Sequence, residues 1–155
     1  MQGLAEEEKR SLADALNELD AAKQRVVRDA KLASDDMKKK LVEALLPVLD
    51  NLDRTIAAAE ASGDSPAVVE GVLLVRSQLQ GVLRGYGVER IDALERDFDP
   101  ALHDAIATTF VPSLALHDTV VEQIAPGYRF GGSLLRPAKV VVGRARSDVS
   151  AGAFV

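Results

Sequence analysis

The stretch GYRFGGSLLRPAKVVVG, from Gly127 to Gly143, indicates that the C-terminal part of the chain is built from short β-strands. Its glycine pair, Gly131 and Gly132, tolerates positive φ and predicts a hairpin turn between two short strands. FDPALHDAIATT (98–109) predicts a turn followed by a short helix or strand. Together with the runs that precede them, these segments predict a small all-β domain over residues 88–146. Its β-forming runs are separated by Pro and Gly: VERI (88–91), TVVEQI (119–124), YRF (128–130), LL (134–135) and KVVV (139–142).

The N-terminal part of the chain has a different pattern. Neither Gly nor Pro occurs between Gly3 and Pro47, and good helix formers dominate, which predicts a stalk helix over residues 1–40. Heptad spacing favours a partner helix in a coiled-coil pair, with a solvated amphipathic helix as the alternative. Lys23 lies in the seam, either as a register device or, as we favour, as a surface residue. The sizeable residues of the predicted dimer seam are Leu12, Leu16, Leu19, Val26 and Met37.

Residues 41–87 predict a helical hairpin, since apolar residues share one helical face on either side of the break SGDSPA (62–67). Pro47 predicts either a kink or a helix that restarts shortly before it. Ser65 is the expected N-cap and Pro66 the first residue of the second helix, which Gly87 ends. Two hairpins would form a four-helix bundle across a dimer. The residues expected in that interface are Leu45, Leu49, Leu52, Val72 and Leu79.

Composition argues against several classes of function. The chain has 155 residues, no Cys and a net charge of −5, so disulfides and thiolate metal sites are excluded and no basic patch favours nucleic acid. No apolar run approaches the ~20 residues of a membrane span, and the acidic N-terminus lacks the apolar core of a secretion signal. We therefore expect a cytoplasmic protein without membrane or nucleic-acid partners.

Candidates for chemistry are few. The chain has two histidines. His103 with Asp104 could form half of a catalytic or metal site, but a hydrogen-bonded structural histidine beside a turn is the favoured interpretation. Asp50, Asp53 and Asp99 are scattered along the chain and do not predict a metal cage, and no phosphate-binding loop is present. We expect no catalytic residues, no metal and no cofactor, and hence no enzyme.

Several segments, in this order and spacing, resemble the GrpE family of nucleotide exchange factors for DnaK-type chaperone ATPases. The segments are LLPVLDNLDR (45–54), VEG (69–71), GVERI (87–91), FDPALHDAIA (98–107) and GY followed by LRPAKVVV (127–142). The resemblance implies an elongated homodimer in which paired stalk helices lead into a four-helix bundle. Each small β-domain would bind the chaperone ATPase domain, open its cleft and promote ADP release, in cooperation with a DnaJ-type co-chaperone. A stalk that melts in heat would make the protein a thermosensor.

Matching the motifs residue by residue implies a chaperone-facing surface. Because strand residues alternate between two faces, about half of its strand members should be core instead. Gly71 either permits close approach of the chaperone or allows tight helix packing inside the dimer. The alternative function is a dimeric coiled-coil scaffold or a holdase-like module, and residues 147–155 are expected to be a flexible tail. The implied contact residues are Asn51, Arg54, Gly71, Ile124, Tyr128, Arg136, Pro137, Val140 and Val142.

Overall fold

The chain folds into two helices followed by six strands, and the computed structural model describes residues 1–63 and 65–146. The sequence predicts helices in the first part of the chain and an all-β domain in the second, which together make an α+β fold, and this arrangement confirms that class. In the described part of the chain, neither helix is long and apolar enough to cross a membrane. The predicted flexible tail, 147–155, lies outside the described residues. The elements are α1 (Gln2–Ser62), α2 (Pro66–Gly85), β1 (Val88–Ile91), β2 (His103–Val111), the short 3₁₀ helix η1 (Leu114–Leu116), β3 (Val120–Ala125), β4 (Gly127–Phe130), β5 (Ser133–Arg136) and β6 (Ala138–Ala145).

Helix α1 is one continuous element of 61 residues with Pro47 inside it. Of the two alternatives at Pro47, a kink or a restart, the continuous helix excludes the restart. By its internal contacts, the chain divides into one unit that ends at Leu41 and another that begins at Val42. In the first unit, all side chains from residue 1 to residue 38 are exposed. The predicted seam residues are among them: Leu12, Leu16, Leu19, Val26 and Met37.

Helix α2 begins and ends close to the predicted residues. Ser65 occupies the N-cap position, but its side chain makes no capping bond. Its carbonyl instead accepts the N–H groups of Val68 at 2.9 Å and Val69 at 3.3 Å. At the other end the helix stops at Gly85, and Gly87 adopts a positive φ of 86° two residues later. The predicted N-cap position of Ser65 and the predicted C-terminal glycine are thus confirmed, although the Ser65 side chain forms no capping bond among the described residues.

The first core lies where the two helices meet the first sheet, which has the antiparallel strand order β1-β4-β5. Leu45 and Leu79 pack against this core while remaining partly exposed, and Leu52 and Val72 are half-buried. Leu49 is fully buried within the single chain, so its predicted place in a dimer interface is wrong. The core residues are Val42, Leu46 and Leu49 of α1, Leu83 of α2, Val88 of β1 and Tyr128 of β4.

The turn between β4 and β5 has the predicted hairpin geometry. Phe130 pairs with Ser133, and the two glycines between them adopt φ values of 54° and 84°. Positive φ at both central positions is the geometry of a type I′ turn, which matches the twist of the flanking strands. The Gly131–Gly132 hairpin prediction is therefore confirmed.

The second sheet has the order β2-β6-β3, with β6 parallel to β2 and antiparallel to β3. Its core is formed by small and branched residues of these strands and of the segment after β1: Ala93, Val120, Ala138, Val140 and Val142. The segment 98–109, for which a helix or a strand was expected, contributes the long strand β2. Gly143 of β6 lies under η1, where an added Cβ would be 2.4 Å from the carbonyl oxygen of Leu116. The path of the chain after β2 therefore depends on a residue without a side chain.

Both histidines serve this sheet as structural residues. His103 is buried, and its Nδ1 accepts the backbone N–H of Asp99 at 3.0 Å. The Nδ1 of His117 accepts the N–H of Ala145 at 3.1 Å, which ties the loop after β2 to the end of β6. The interpretation of His103 as a hydrogen-bonded residue beside a turn is confirmed.

Candidate functional site: the junction of helices and β-region

The six-stranded region, residues 88–146, is called the head below. A bidentate ion pair joins it to helix α1. Arg136 of β5 donates from Nη1 and Nη2 to the two carboxylate oxygens of Asp50, at 2.6 Å each. Its Nε and Nη2 also donate to the carbonyl oxygen of Pro126, at 3.1 Å and 2.9 Å. Hydrogen bonding to Asp50 raises the pKa of Arg136 and outweighs the opposing effect of burial. A charged guanidinium is therefore held between two parts of the fold.

A second set of ion pairs centres on Asp53, which follows Asp50 by three residues and so lies on the same face of α1. Asp53 accepts from Arg76 of α2 and from Arg90 of β1, both at 2.8 Å. Arg90 also donates from Nε to Asp92 at 2.8 Å. Burial lowers the pKa of Arg90, but hydrogen bonds to Asp92 and Asp53 outweigh it and leave that pKa raised. One carboxylate therefore connects both helices to the first strand.

The loop after β1 extends this network to the second sheet. Gln123 of β3 accepts the N–H of Ala93 at 2.7 Å and donates to Asp92 at 3.2 Å. Burial raises the pKa of Asp92, but hydrogen bonds from Arg90 and Gln123 outweigh it, so the pKa lies below the ordinary value. A continuous chain of polar contacts thus links α1 through β1 to β3.

Tyr128 lies beneath the Arg136 guanidinium, which is 5.3 Å from the centre of its ring. The phenol is buried, and its hydroxyl has no hydrogen-bond partner among the residues that the structure describes. Burial raises the pKa of this phenol. The ring therefore acts as an apolar floor for the arginine, and a cation over an aromatic face is itself attractive.

A cleft of about 650 Å³ opens beside these ion pairs. Its walls come from both helices and from β3 and β6, and they include Arg54, Glu60, Arg76, Ile124 and Lys139. Ile124 is about half exposed, at 52 %. Charges of both signs surround the exposed apolar side chains of Ile124 and the small Ala57, which is a surface suited to another protein rather than to a small apolar ligand.

The structure brings some of the predicted contact residues together. Arg54 and Ile124, from α1 and β3, line the same cleft. Asn51 is exposed on α1, and its Oδ1 accepts from Arg54 at 3.1 Å. Pro137 is half-buried between β5 and β6. Gly71 lies on an open face of α2, and a Cβ added there would meet no atom of the described residues within 4 Å.

Three other predicted contact residues are core residues. Tyr128, Val140 and Val142 are 1 %, 0 % and 2 % exposed. Their side chains therefore offer no surface to a partner, and this part of the predicted contact set needs correction. The physical reason is strand alternation: Val140 and Val142 are two residues apart on β6 and point to the same, inner face.

Sequence reasoning missed the residues of the junction itself. In the sequence, Asp50 and Asp53 look like scattered acids, and no motif marks Arg76 or Arg90. The available signal was the three-residue spacing of two aspartates on the otherwise apolar face of α1. In the described residues no group of His, Asp and Glu is arranged to hold a metal ion.

The described residues thus define an α+β protein in which two helices carry a small six-stranded head, with a mixed-charge cleft at the junction. The sequence profile of the GrpE family matches residues 1–144. Protein GrpE of Saccharophagus degradans is 40 % identical over 137 residues, which cover 88 % of this chain and 68 % of that protein. Protein GrpE of Alcanivorax borkumensis is 34 % identical over 143 residues, covering 92 % and 73 %. Protein GrpE of Teredinibacter turnerae is 37 % identical over 139 residues, covering 89 % and 73 %.

The chain belongs to the GrpE family. It is thereby assigned to the nucleotide exchange factors of DnaK-type chaperones.

Proposed function

We infer that this protein binds the ATPase domain of a DnaK-type chaperone, opens its nucleotide cleft and so promotes ADP release. It performs no chemistry of its own, acts in the cytoplasm and works alongside a DnaJ-type co-chaperone. The observation that carries the proposal is the family match over residues 1–144, which spans both helices and both sheets. The junction supports the proposal, because a protein that forces a cleft open needs a head held rigidly against its helices, and the ion pairs of the junction join the two.

Linkage sets the energetic requirement. The factor can open the cleft only by binding the open state of the chaperone more tightly than the closed state. Coupling is reciprocal, so bound nucleotide must weaken the binding of the factor by the same free energy. Lowering nucleotide affinity ~100-fold requires about 3 kcal/mol of differential binding. A surface with one exposed isoleucine and several charged side chains, such as the cleft at the junction, can supply that much.

The proposed contact surface is narrower than the set implied by the motifs. It keeps the exposed side chains of Asn51, Arg54 and Ile124, together with Pro137. Gly71 remains a candidate because its face of α2 is open. Of these, Arg54 and Ile124 have the strongest support, because they line one cleft from two different elements.

We also propose that the protein is a homodimer. The exposed seam on α1 is too apolar to stay in water without cost, and a second copy offers a matching seam. Leu45, Leu52, Val72 and Leu79 are only half-buried in one chain and would be covered further in a four-helix bundle. Light scattering should give twice the chain mass of 16.5 kDa. If light scattering gives the mass of one chain at micromolar concentration, the dimer and its four-helix bundle are rejected.

The direct test of function is the release of a fluorescent ADP analogue from a purified DnaK-type ATPase. Addition of the protein at micromolar concentration should accelerate release and shorten the decay of the signal. The variant Ile124→Asp tests the proposed contact surface. It places a charge at the exposed isoleucine of the cleft and should weaken the acceleration of release. No acceleration by the unmodified protein would reject exchange activity and leave a dimeric scaffold or a holdase-like module.

A further inference from the structure

The head is attached to the helices in two different ways. The first is apolar, through Val88 and Tyr128, which join the core formed by α1 and α2. The second is a set of ion pairs, called the clamp below, formed by Asp50, Asp53, Arg76, Arg90 and Arg136. Apolar contact is non-directional and tolerates small rotations. A charged fork with fixed bond directions does not.

Arg136 is the most constrained member of the clamp. A guanidinium has five N–H groups. Four hydrogen bonds from Arg136 already go to Asp50 and to the Pro126 carbonyl oxygen. One face of its guanidinium plane covers the ring of Tyr128. Little of its bonding capacity remains for a second protein.

The ion pairs of the clamp fix the orientation of the head relative to α1, because they start from both edges of the first sheet. Asp50 lies on α1, whereas Arg136 ends β5, an edge strand of the first sheet. Arg90 on β1, the opposite edge, bonds to Asp53 three residues further along the same helix face. Two charged contacts from the two edges of one sheet to neighbouring points on one helix define an orientation, since a single contact would still allow rotation.

We propose that Asp50 and Arg136, assisted by Asp53 and Arg90, are positioning residues that hold the head at the angle required for nucleotide exchange, and that Arg136 is not itself a chaperone contact. The proposal rests on the proposed exchange function. It replaces the role that motif matching implied for Arg136. The clamp is only about a quarter exposed, at 24 % for both Asp50 and Arg136, so these charges are partly withdrawn from competing water.

A positioning role and a contact role differ in what the loss of Asp50 does. If the clamp orients the head, Asp50→Asn and Arg136→Gln should each lower the maximum exchange rate about tenfold. The double variant should be no worse than either single variant, because both changes break one interaction. If Arg136 contacts the chaperone instead, Arg136→Gln should weaken binding while Asp50→Asn has little effect. That second pattern would overturn the proposal.

The measurement is the rate of release of the fluorescent ADP analogue as a function of factor concentration. The maximum rate and the half-saturating concentration are then separated for each variant. Asp36→Asn is the matched control, since Asp36 lies on the same helix and pairs with Lys40 one turn along it, at an exposed position. It should leave both parameters unchanged.

A second readout reports orientation directly and does not require the chaperone. The chain has no Cys, so a spin-label pair can be introduced at Glu60→Cys on α1 and Lys139→Cys on β6 without removing native thiols. Labelled chain is mixed with excess unlabelled chain, so that any assembly holds one labelled copy. The parent should give one narrow distance distribution, and Asp50→Asn and Arg136→Gln should both broaden or shift it. An unchanged distribution in both variants would contradict the proposal.

The two readouts also separate this proposal from the proposed function. If the unmodified protein fails to accelerate release, exchange activity is rejected, and the clamp loses its role in exchange even if the distances show that it orients the head. If Arg136→Gln does not fold, Arg136→Lys takes its place, since lysine keeps the charge but cannot form the fork. A lower maximum rate with unchanged half-saturation supports positioning, whereas the reverse overturns it.

Discussion

Helix α1 contains two regions with similar apolar spacing and very different surroundings. Over residues 2–41 its apolar side chains are exposed, and Leu12, Leu16 and Leu19 each keep more than half of their surface in water. Over residues 42–62 the same helix buries Val42, Leu46, Leu49, Ile56 and Ala59. The difference is not one of helix propensity, because the helix is continuous through both. An apolar stripe predicts that a helix face is buried against another surface, but it does not tell whether that surface belongs to the same chain.

The comparison also separates two kinds of stability. The second region is held by a core and a clamp within one chain, whereas the apolar side chains of the first are exposed among the described residues. If a second copy covers those side chains, the stability of the first region should depend more strongly on protein concentration than that of the second, which also has a core and ion pairs within one chain. Local unfolding energies differ within one protein, and this contrast is large enough to measure.

The largest expected effect is at Leu49. Leu49→Ala should lower the free energy of unfolding by about 2–5 kcal/mol, because it empties a fully buried position in the first core. Leu16→Ala removes the same atoms from an exposed position and should cost less than about 1 kcal/mol in the head and hairpin transition. Urea denaturation followed by circular dichroism, at one fixed protein concentration, measures both. Equal costs would break the distinction between the two regions.

Gly143 should give the next largest effect. Gly143→Ala places a Cβ 2.4 Å from the carbonyl oxygen of Leu116, so η1 or β6 must move. Overpacking of this kind costs about 1–3 kcal/mol and should fall on the second sheet. The control is Gly71→Ala, which has open space and should gain about 1 kcal/mol from helix propensity. Thermal denaturation of both variants should show opposite shifts.

A destabilised Gly71→Ala would mean that another surface approaches α2 closely at that point. If only exchange activity falls, the approaching surface is the chaperone; if the dimer weakens, it is the second copy. The same variant therefore decides between the two roles left open for this glycine.

Heating should separate the two regions of α1. We expect two transitions by circular dichroism, the first belonging to the stalk. The heptad steps that connect Leu19, Val26 and Met37 also pass through Lys23, Ala30 and Ala33, and these residues bury little apolar surface in the seam. The triple variant Lys23→Leu, Ala30→Leu, Ala33→Leu should raise only the first transition, by about 5 °C. It should also preserve exchange at temperatures where the parent loses it, which is the thermosensor hypothesis. A first transition that does not move would remove both the stalk assignment and the thermosensor.

The smallest effect should come from acid. The pKa of Asp92 is lowered by its bonds to Arg90 and Gln123, so its carboxylate stabilises the fold above the ordinary value of 3.8, and this stability is lost as the pH falls through the lower folded value. Asp92→Asn should therefore cost about 0.5 kcal/mol at neutral pH, since the carboxylate is largely exposed and screened. The difference between parent and variant should vanish in acid. Urea denaturation at several pH values measures it, and a difference independent of pH would contradict the assignment.

Most of the fold could be predicted from local patterns. The helix of α1, the break before Pro66, the Gly131–Gly132 turn and the short strands all follow from residues close together in the sequence. The parallel pairing of β2 with β6 could not be predicted, because it joins segments that are far apart and leaves no local turn signature. At Pro47 the sequence leaves a kink or a restart open, and only the structure shows that the helix continues through the proline.

The candidate site was predicted less well than the fold. Motif matching named Arg54 and Ile124, which the structure brings to one cleft, but it also named Tyr128, Val140 and Val142, which are buried. Alternation along a strand says that some residues are core without saying which face is inner. Which face of a strand is buried depends on the other segments of the chain that pack against the sheet.

The sequence by itself determined the local elements and the family, because turns, helix ends and apolar periodicity depend on neighbouring residues. Only the tertiary structure decided which apolar face finds a cover within the chain and which polar residues meet. Asp50 and Arg136 are 86 positions apart, yet they share two hydrogen bonds. Neither residue is unusual in its own segment, and a charge becomes a clamp only when folding brings its partner within bonding distance and removes most of the water between them.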